Sequence, residues 1–251
     1  MHDDGDHLVL HGDTWLCVLT GAGVSAESGI ATFRDAGGLW EGHRAEQVAS
    51  PEGFADDPEL VWRFYGARRR QAGGCSPNRG HAALAAVEQR LGERFLLATQ
   101  NVDGLHAVAG NRRLVELHGN LWRTRCSACD RPAFEDRSDH EGALPRCEPC
   151  AAVGRDALLR PDIVWFGEAL DPADLARVTA FLDEGARHHL VFLAVGTSGV
   201  VYPAAGLVGE ARARGADTWL VNAEAPENAR RFGRFLAGKS GEILPRLFVF
   251  D

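Results

Sequence analysis

Four of the six cysteines stand as Cys126-x-x-Cys129 and Cys147-x-x-Cys150, with seventeen residues between the pairs. Paired thiols at that spacing are the pattern of a four-thiolate zinc site. The same residues could form two disulfides, which requires an oxidising compartment that nothing else in the sequence suggests. Four thiolates leave a metal no open coordination position, so its work would be structural and not the activation of water. Of the other two, Cys17 lies in an apolar run and reads as a small buried hydrophobe, and Cys75 also reads as structural. A second pattern, Gly21-Ala22-Gly23-Val24-Ser25-Ala26, has the form G-x-G-x-x-A. After a strand and before a helix, such a turn lets the backbone approach a pyrophosphate while helix N–H groups point at it. By itself the pattern is short enough to be a plain glycine turn.

The elements around these residues decide between the readings. Trp15-Leu16-Cys17-Val18-Leu19 is an apolar strand closed by Thr20, so the glycine turn stands where a strand meets a helix. A dehydrogenase would next show a second strand and an acidic residue about 20 positions on. Here residues 28–40 form a glycine-rich loop with Phe33 and Arg34 at its centre, and no strand places Glu41, which disfavours hydride transfer. Residues 51–71 carry a helical pattern in Leu60, Val61, Phe64, Tyr65 and Arg68, and residues 81–91 another in Leu84, Val87 and Leu91. His81, at the start of that second helix, reads as a cap or packing residue.

Apolar strands are expected at residues 95–99, 114–119, 189–195 and 218–221, with helices at 172–184 and near 203–214 and a last apolar pair at 243–247 and 248–250. Strands apolar throughout and alternating with helices indicate a parallel sheet covered on both faces. Polar clusters follow several of them: the glycine turn, Gln100 to Asp103, His118, Gly196 to Ser198, and Asn222 to Glu224. Ligands of such sheets bind outside the carboxyl ends of the strands, so five polar strand ends point to a dinucleotide crevice. The fold expected is α/β: a Rossmann-like, doubly wound parallel sheet with a small inserted zinc-binding module and a helical insertion. Its division would be 1–34, 76–119 and 161–251 for nucleotide binding, 35–75 for the helical insertion and 120–160 for the zinc module, where the metal supplies stability that so small a core lacks.

The balance of 27 Lys and Arg against 35 Asp and Glu, a net charge of −8 over 251 residues, repels nucleic-acid backbone and argues against a general DNA binder. No apolar run approaches the roughly 18 residues of a membrane span, and residues 1–7 lack the basic start of a secretory signal. No direct nucleic-acid or membrane partner and a cytoplasmic location are therefore expected.

Taken in order, Gly21 to Ile30, Phe33-Arg34, Thr99-Gln100-Asn101-Val102-Asp103, Leu117-His118-Gly119, the four cysteines, Val164-Trp165-Phe166-Gly167-Glu168, Gly196-Thr197-Ser198 and Asn222-Ala223-Glu224 resemble the sirtuins over nearly the whole chain. Ala31, where many members carry proline, is a departure that loosens the cofactor loop without removing a chemical group. The resemblance implies NAD-dependent removal of acyl groups from protein lysines, releasing nicotinamide and 2′-O-acyl-ADP-ribose, with NAD as cofactor and one structural zinc. It implies that Asp103 holds the nicotinamide carboxamide, Asn101 orders the reacting centre and Gln100 contacts the ribose, although these residues alone could form a solvated Asx turn. Phe33 would shield the reacting face, and Arg34 offers a fork for phosphate or for ordering the loop. Further cofactor contacts are implied for Gly21, Ala22, Gly23, Ser25, Ala26 and Glu27, for Ile30, Trp40 and Val102, and for Gly196, Thr197, Ser198, Asn222, Ala223, Glu224 and Ser240. His118 would be the general base that deprotonates a ribose hydroxyl, a task suited to a group titrating near neutrality, with Gly119 permitting close approach. Val164, Trp165 and Phe166 would line the tunnel for the acylated lysine, and the segment around them would receive an extended peptide by strand addition.

One sirtuin subgroup removes succinyl and malonyl groups and is marked by a tyrosine and an arginine three residues apart on a helix. Tyr65 and Arg68 match that mark, and Ala49 matches the small residue that widens its pocket. Positions i and i+3 share a helix face, so both side chains could reach one distal carboxylate. The competing reading of Arg68 to Arg70 is a solvated basic face. Mono-ADP-ribosyl transfer to a protein, or a zinc module that only binds a partner, are the rival functions.

Overall fold

The computed structural model describes residues 7–30, 39–40, 43–140, 142–197 and 204–251; Phe33, Arg34 and Ser198 lie outside them, and of Trp40 only the backbone is described. Along the chain come β1 (Leu8–Leu10), β2 (Thr14–Thr20), α1 (Gly23–Ala26), β3 (Leu39–Trp40), β4 (His43–Arg44), α2 (Ala45–Val48), α3 (Pro51–Asp56), α4 (Pro58–Gly73), α5 (Arg79–Leu91), β5 (Phe95–Thr99), α6 (Leu105–Ala109) and β6 (Leu114–Glu116). Then follow β7 (Gly119–Cys126), β8 (Phe134–Glu135), α7 (Glu148–Ala151), β9 (Leu159–Ile163), α8 (Pro172–Gly185), β10 (His189–Val195), α9 (Leu207–Ala213), β11 (Asp217–Asn222), β12 (Arg234–Ala237), α10 (Ser240–Leu247) and β13 (Phe248–Phe250).

Six strands pair in the order β12-β11-β10-β2-β5-β6, and every pair is parallel. The two-residue period of the strands divides the core in two. Leu16, Val18, Phe95, Leu97, Val191 and Leu193 pack against Leu84, Val87 and Leu91 of α5 and Ile243, Leu244 and Leu247 of α10. Their neighbours Cys17, Leu19, Leu96, Ala98, Phe192 and Ala194 face Val178 and Leu182 of α8 and Leu207, Val208 and Ala211 of α9 on the other side. The sheet is doubly wound: the chain leaves β2 toward β5 and β6, then returns past it to β10, β11 and β12. The ends of β2 and β10 are therefore the topological switch point.

A second body of structure covers one end of that edge. Strands β7, β8 and β9 form a small antiparallel sheet, and Phe64 and Tyr65 of α4 pack with Leu121, Ile163 and Trp165. Arg69, only 2% exposed, joins the two. Its guanidinium donates to Leu121 O at 2.7 Å, Arg123 O at 3.2 Å and Thr124 Oγ1 at 3.0 Å, and also to Ser138 O and Asp136.

Three expectations need correction. Residues 51–71 are two helices, because Asp57 accepts from Leu60 N at 2.8 Å and Pro58 starts a fresh first turn. Residues 243–247 belong to helix α10, and only 248–250 are a strand, which pairs with β1. Helix α1 is a single turn of four residues, too short to carry an appreciable dipole toward a phosphate. Among the described residues no helix is long and apolar enough to cross a membrane. Removing the buried cation with Arg69→Met leaves three carbonyls without its N–H groups and Asp136 without its buried counter-charge, and urea unfolding should show a loss of about 3 kcal/mol.

Candidate active site and metal centre

The floor of the site is a backbone contact. Gly21 N donates to Val195 O at 3.0 Å and Gly23 N to Gly196 O at 2.8 Å, so the turn after β2 lies directly on the turn after β10. A Cβ on Gly21 would come within 2.8 Å of Gly196 O, and one on Gly23 within 2.8 Å of Gly196 Cα. The glycines are thus required by the packing of two turns at the switch point, a reason the motif alone does not disclose. Similarly, Gly119 (φ +81) leaves room for the Asp162 carbonyl of β9, so strand pairing also requires it.

The loop after β5 is held beside this floor by buried polar bonds. Gln100 N donates to Thr20 O at 2.9 Å, and Asn101 N to Thr99 Oγ1 at 3.1 Å. Asp103 accepts from Ser25 Oγ at 2.7 Å and from Leu105 N at 2.8 Å, while Asn101 Nδ2 donates to Ser25 Oγ at 3.1 Å. Asn101 and Asp103 are therefore held in a buried bonded array, and the solvated-turn reading falls. Thr20 Oγ1 donates to Thr99 Oγ1 at 2.7 Å, so its oxygen accepts from His106 Nε2 at 2.9 Å. Burial, with His81 beside it, pushes His106 down to about 3, and burial also lowers His81, whose Nδ1 accepts from Asn78 N at 3.3 Å. His81 caps α5, as its position suggests, and both rings stay neutral as fixed donors. His106 and the two threonines have no local signal in the sequence, because the bond joins strands 79 residues apart.

His118 lies between β6 and β7, half-buried, with Nδ1 2.9 Å from Gln100 O. A carbonyl only accepts, so Nδ1 carries the proton and Nε2 keeps a lone pair. Burial lowers its pKa, so the imidazole is neutral at pH 7 and can accept a proton at Nε2.

His118 opens on a cavity of about 310 Å³ that collects most of the expected substrate and reaction residues. It is lined by Ala22, Ser25, Ile30, Gln100, Asn101, Val102 and Asp103 from the strand ends. From the other side come Ala49, Tyr65 and Arg68, with Val164, Trp165 and Phe166. Phe64, Glu168 and Leu170 also line it and escape sequence reasoning, being apolar-core or charged residues by type. Arg68 is half-buried, so the picture of a wholly solvated basic face holds only for its exposed neighbour Arg70. A separate groove of about 260 Å³ takes Gly23, Ala26, Glu27, Gly196, Asn222, Ala223 and Ser240. Within it Glu27 already accepts from Ser240 Oγ at 3.0 Å and Gly241 N at 2.7 Å, capping α10. Gly21 is buried below both clefts, Thr197 is buried with Oγ1 donating to Gln100 Oε1 at 3.2 Å, and Glu224 is exposed outside them.

The strand-addition expectation is modified. The N–H groups of Val164, Trp165 and Phe166 are taken by His118 O at 3.0 Å, Glu168 Oε2 at 2.8 Å and Ala49 O at 2.9 Å. An added peptide strand must bond this segment through its carbonyls or beyond Phe166.

The four expected metal ligands converge. Their sulfurs lie within 4.8 Å of one another, with Cys126 to Cys150 at 3.7 Å and Cys129 to Cys147 at 3.8 Å. Tetrahedral zinc with bonds of about 2.3 Å sets sulfurs about 3.8 Å apart, and all four thiols are free, so the zinc reading fits and the disulfide reading does not. The crevice also offers one unpaired donor that suits a dinucleotide: Gln100 Nε2 is buried with no partner among the described residues.

A doubly wound parallel sheet with a polar crevice at its switch point, carrying a four-thiolate sheet, defines an α/β dinucleotide-binding protein. The Sir2 family model matches residues 21–203, and the chain belongs to that family. It is 46% identical over 231 residues to an NAD-dependent protein deacylase of Shigella flexneri, spanning 91% of this chain and 80% of that one. A deacylase of the same description from Pyrococcus furiosus is 46% identical over 233 residues, covering 91% and 89%. A crystal structure of a Sir2 homologue in complex with NAD superposes with a TM-score of 0.82 at 42% identity, over 91% of this chain and 86% of that one. A Sir2 protein bound to acetylated peptide does so at 0.76 and 27% identity, over 92% and 90%.

Two measurements check the site. Metal analysis should find one zinc per chain, and Cys147→Ser should remove it and lower Tm by roughly 10 °C. In an NMR titration His118 and His81 should show midpoints below 6.5 and His106 one near 3. Because these folded-state values lie below the unfolded one, the unfolded chain binds more protons in acid, and stability should fall as pH drops from about 6.5 toward 3.

Proposed function

We propose that this protein removes acyl groups from protein lysines with NAD as co-substrate, and that it prefers succinyl and malonyl groups over acetyl. The observation that carries the preference is that Tyr65 and Arg68 line the same cavity as His118. When bound, NAD supplies the ribose carbon that receives the acyl oxygen and the nicotinamide that leaves. Asp103, fixed by Ser25 and Leu105, is suited to hold the carboxamide, and Gln100 Nε2 to donate to the ribose. His118 takes a proton from a ribose hydroxyl at Nε2 while its Nδ1–H remains on Gln100 O. The apolar walls from Ile163, Val164 and Trp165 keep bulk water from the lysine stem.

At the far end of the stem, the Arg68 guanidinium and the Tyr65 phenol can meet a distal carboxylate. Burial lowers the Arg68 pKa and raises that of Tyr65, yet at neutral pH both remain protonated donors. A hydrogen bond to a charged group contributes about 1.5–3 kcal/mol, or roughly ten- to hundredfold in selection. Deacetylation persists because the reacting end is the same. Homologues described as protein deacylases at 46% identity support deacylation over ADP-ribosyl transfer, and a carboxylate clamp would serve no purpose in the latter.

The test is a mass-spectrometric assay on one peptide carrying succinyl-lysine or acetyl-lysine, with and without NAD. The expected result is NAD-dependent loss of succinyl in preference to acetyl, with O-acyl-ADP-ribose as product, and a succinyl-to-acetyl ratio about tenfold lower in Tyr65→Phe and Arg68→Met. A preference for acetyl would remove the clamp and keep the reaction; nicotinamide release without acyl loss would overturn deacylation.

A further inference from the structure

Behind the cavity, Trp165 Nε1–H donates to Tyr65 Oη at 2.9 Å. Both residues are buried, Trp165 to 3% exposure and Tyr65 to 3%. Trp165 is itself held on two sides. Its backbone N–H donates to Glu168 Oε2 at 2.8 Å, and the Arg160 guanidinium lies over its indole, 3.3 Å from the ring centroid. Arg160 in turn donates to Glu168 through Nη1 at 2.7 Å and Nη2 at 2.9 Å, and to Ile163 O at 2.9 Å. Glu168, Arg160, Trp165 and Tyr65 form one connected array that ends at the acyl cavity.

The direction of the last bond matters. An indole nitrogen only donates, so Tyr65 Oη is necessarily the acceptor in this bond. A phenol has one proton and two lone pairs. With one lone pair taken by Trp165, its proton is left for another acceptor, and Tyr65 lines the cavity that Arg68 also lines. Arg160 strengthens the arrangement, because a cation on the indole face withdraws electron density and makes the N–H a better donor. Glu168 lines the cavity too, but its two oxygens are occupied by Arg160 and Trp165, with Arg125 3.4 Å away, so its charge is matched and does not repel an incoming carboxylate.

We infer that Trp165 is a positioning residue for acyl selection: it acts through Tyr65, holding the phenol as a donor aimed at the distal carboxylate of a dicarboxylic acyl group. The inference rests on the reading of Tyr65 and Arg68 as a carboxylate clamp and extends it. An acetyl group offers nothing to accept the phenol proton, so losing the bond should weigh on dicarboxylic acyl groups more than on acetyl.

The experiment uses Trp165→Phe, which keeps an aromatic ring near Arg160 and removes the N–H donor along with part of the indole, together with Tyr65→Phe and the double variant. Steady-state kcat and KM are measured on one peptide bearing succinyl-lysine or acetyl-lysine. Trp165→Phe should lower the succinyl-to-acetyl ratio of kcat/KM by roughly fivefold, mostly through a higher succinyl KM. Added to Tyr65→Phe, it should change that ratio by less than about twofold, since the partner is already gone. If Tyr65→Phe lowers the ratio and Trp165→Phe does not, the role of Trp165 is overturned and the clamp stands. An equal loss on both acyl groups also overturns it, leaving packing alone. If Tyr65→Phe leaves the ratio unchanged, the clamp itself is overturned, and this inference with it. A readout independent of the folding of Trp165→Phe is the Trp165 Nε1–H resonance of the otherwise native protein. It should move on replacing Tyr65 with Phe and on adding succinyl-lysine peptide with NAD; a resonance that ignores both changes rejects the coupling.

Discussion

Two glycine turns lie on each other at the centre of this molecule, and little of the site would exist at a larger separation. Gly21 and Gly23 approach Gly196 so closely that a single added carbon would collide with backbone. Backbone cannot move aside as a side chain can, so the constraint passes along both strands. It brings the carboxyl ends of β2 and β10 together where the winding of the sheet reverses. Ser25, carried on the one-turn helix that follows, then falls within 2.7 Å of Asp103, and the loop after β5 is pinned across the gap. A nucleotide crevice arises here from the packing of turns more than from a helix dipole, since α1 is a single turn.

Burial gives the site its division of labour among histidines. His106 and His81 are wrapped in protein and held neutral, so they act as fixed parts of a hydrogen-bonded scaffold. His118 keeps one nitrogen on a backbone carbonyl and faces the cavity with the other. What separates the three is surroundings: His81 and His106 are fully buried, whereas His118 is half-buried and lines the cavity. At the opposite wall of the cavity a group that can only donate, Trp165 Nε1–H, is bonded to Tyr65 Oη.

The zinc sheet works at a distance. Its four sulfurs are remote in sequence from Tyr65 and Arg68, yet the strand that begins the sheet, β7, also receives the buried guanidinium of Arg69 on α4. The helix bearing Tyr65 and Arg68 therefore rests on a sheet whose own hydrophobic cluster is little more than the cysteines, Ala157 and Leu159. A core that small needs its metal, and the cavity wall built by α4 inherits that need through Arg69.

Much of this was legible in the chain itself. The continuous apolar runs of the strands, the 3.6-residue stripe of α5, and the spacing of two thiol pairs are local signals, because each reports on neighbours within a few positions. From them, and from the resemblance of the short motifs to the sirtuins, came the parallel sheet, the four-cysteine cluster, the crevice at the strand ends, and the pairing of Tyr65 with Arg68 that the structure places on one cavity with His118. The break at Asp57 and the helical state of residues 243–247 went unread, since capping and tertiary contact overrode a continuous apolar pattern. What only the tertiary structure decided are the partnerships between distant residues: Thr20 with Thr99 and His106, Glu27 with Ser240, Arg69 with β7, and Trp165 with Tyr65 one hundred positions away. Residue type announces that a group can donate or accept, but only the fold brings its partner within the roughly 3 Å at which a hydrogen bond forms.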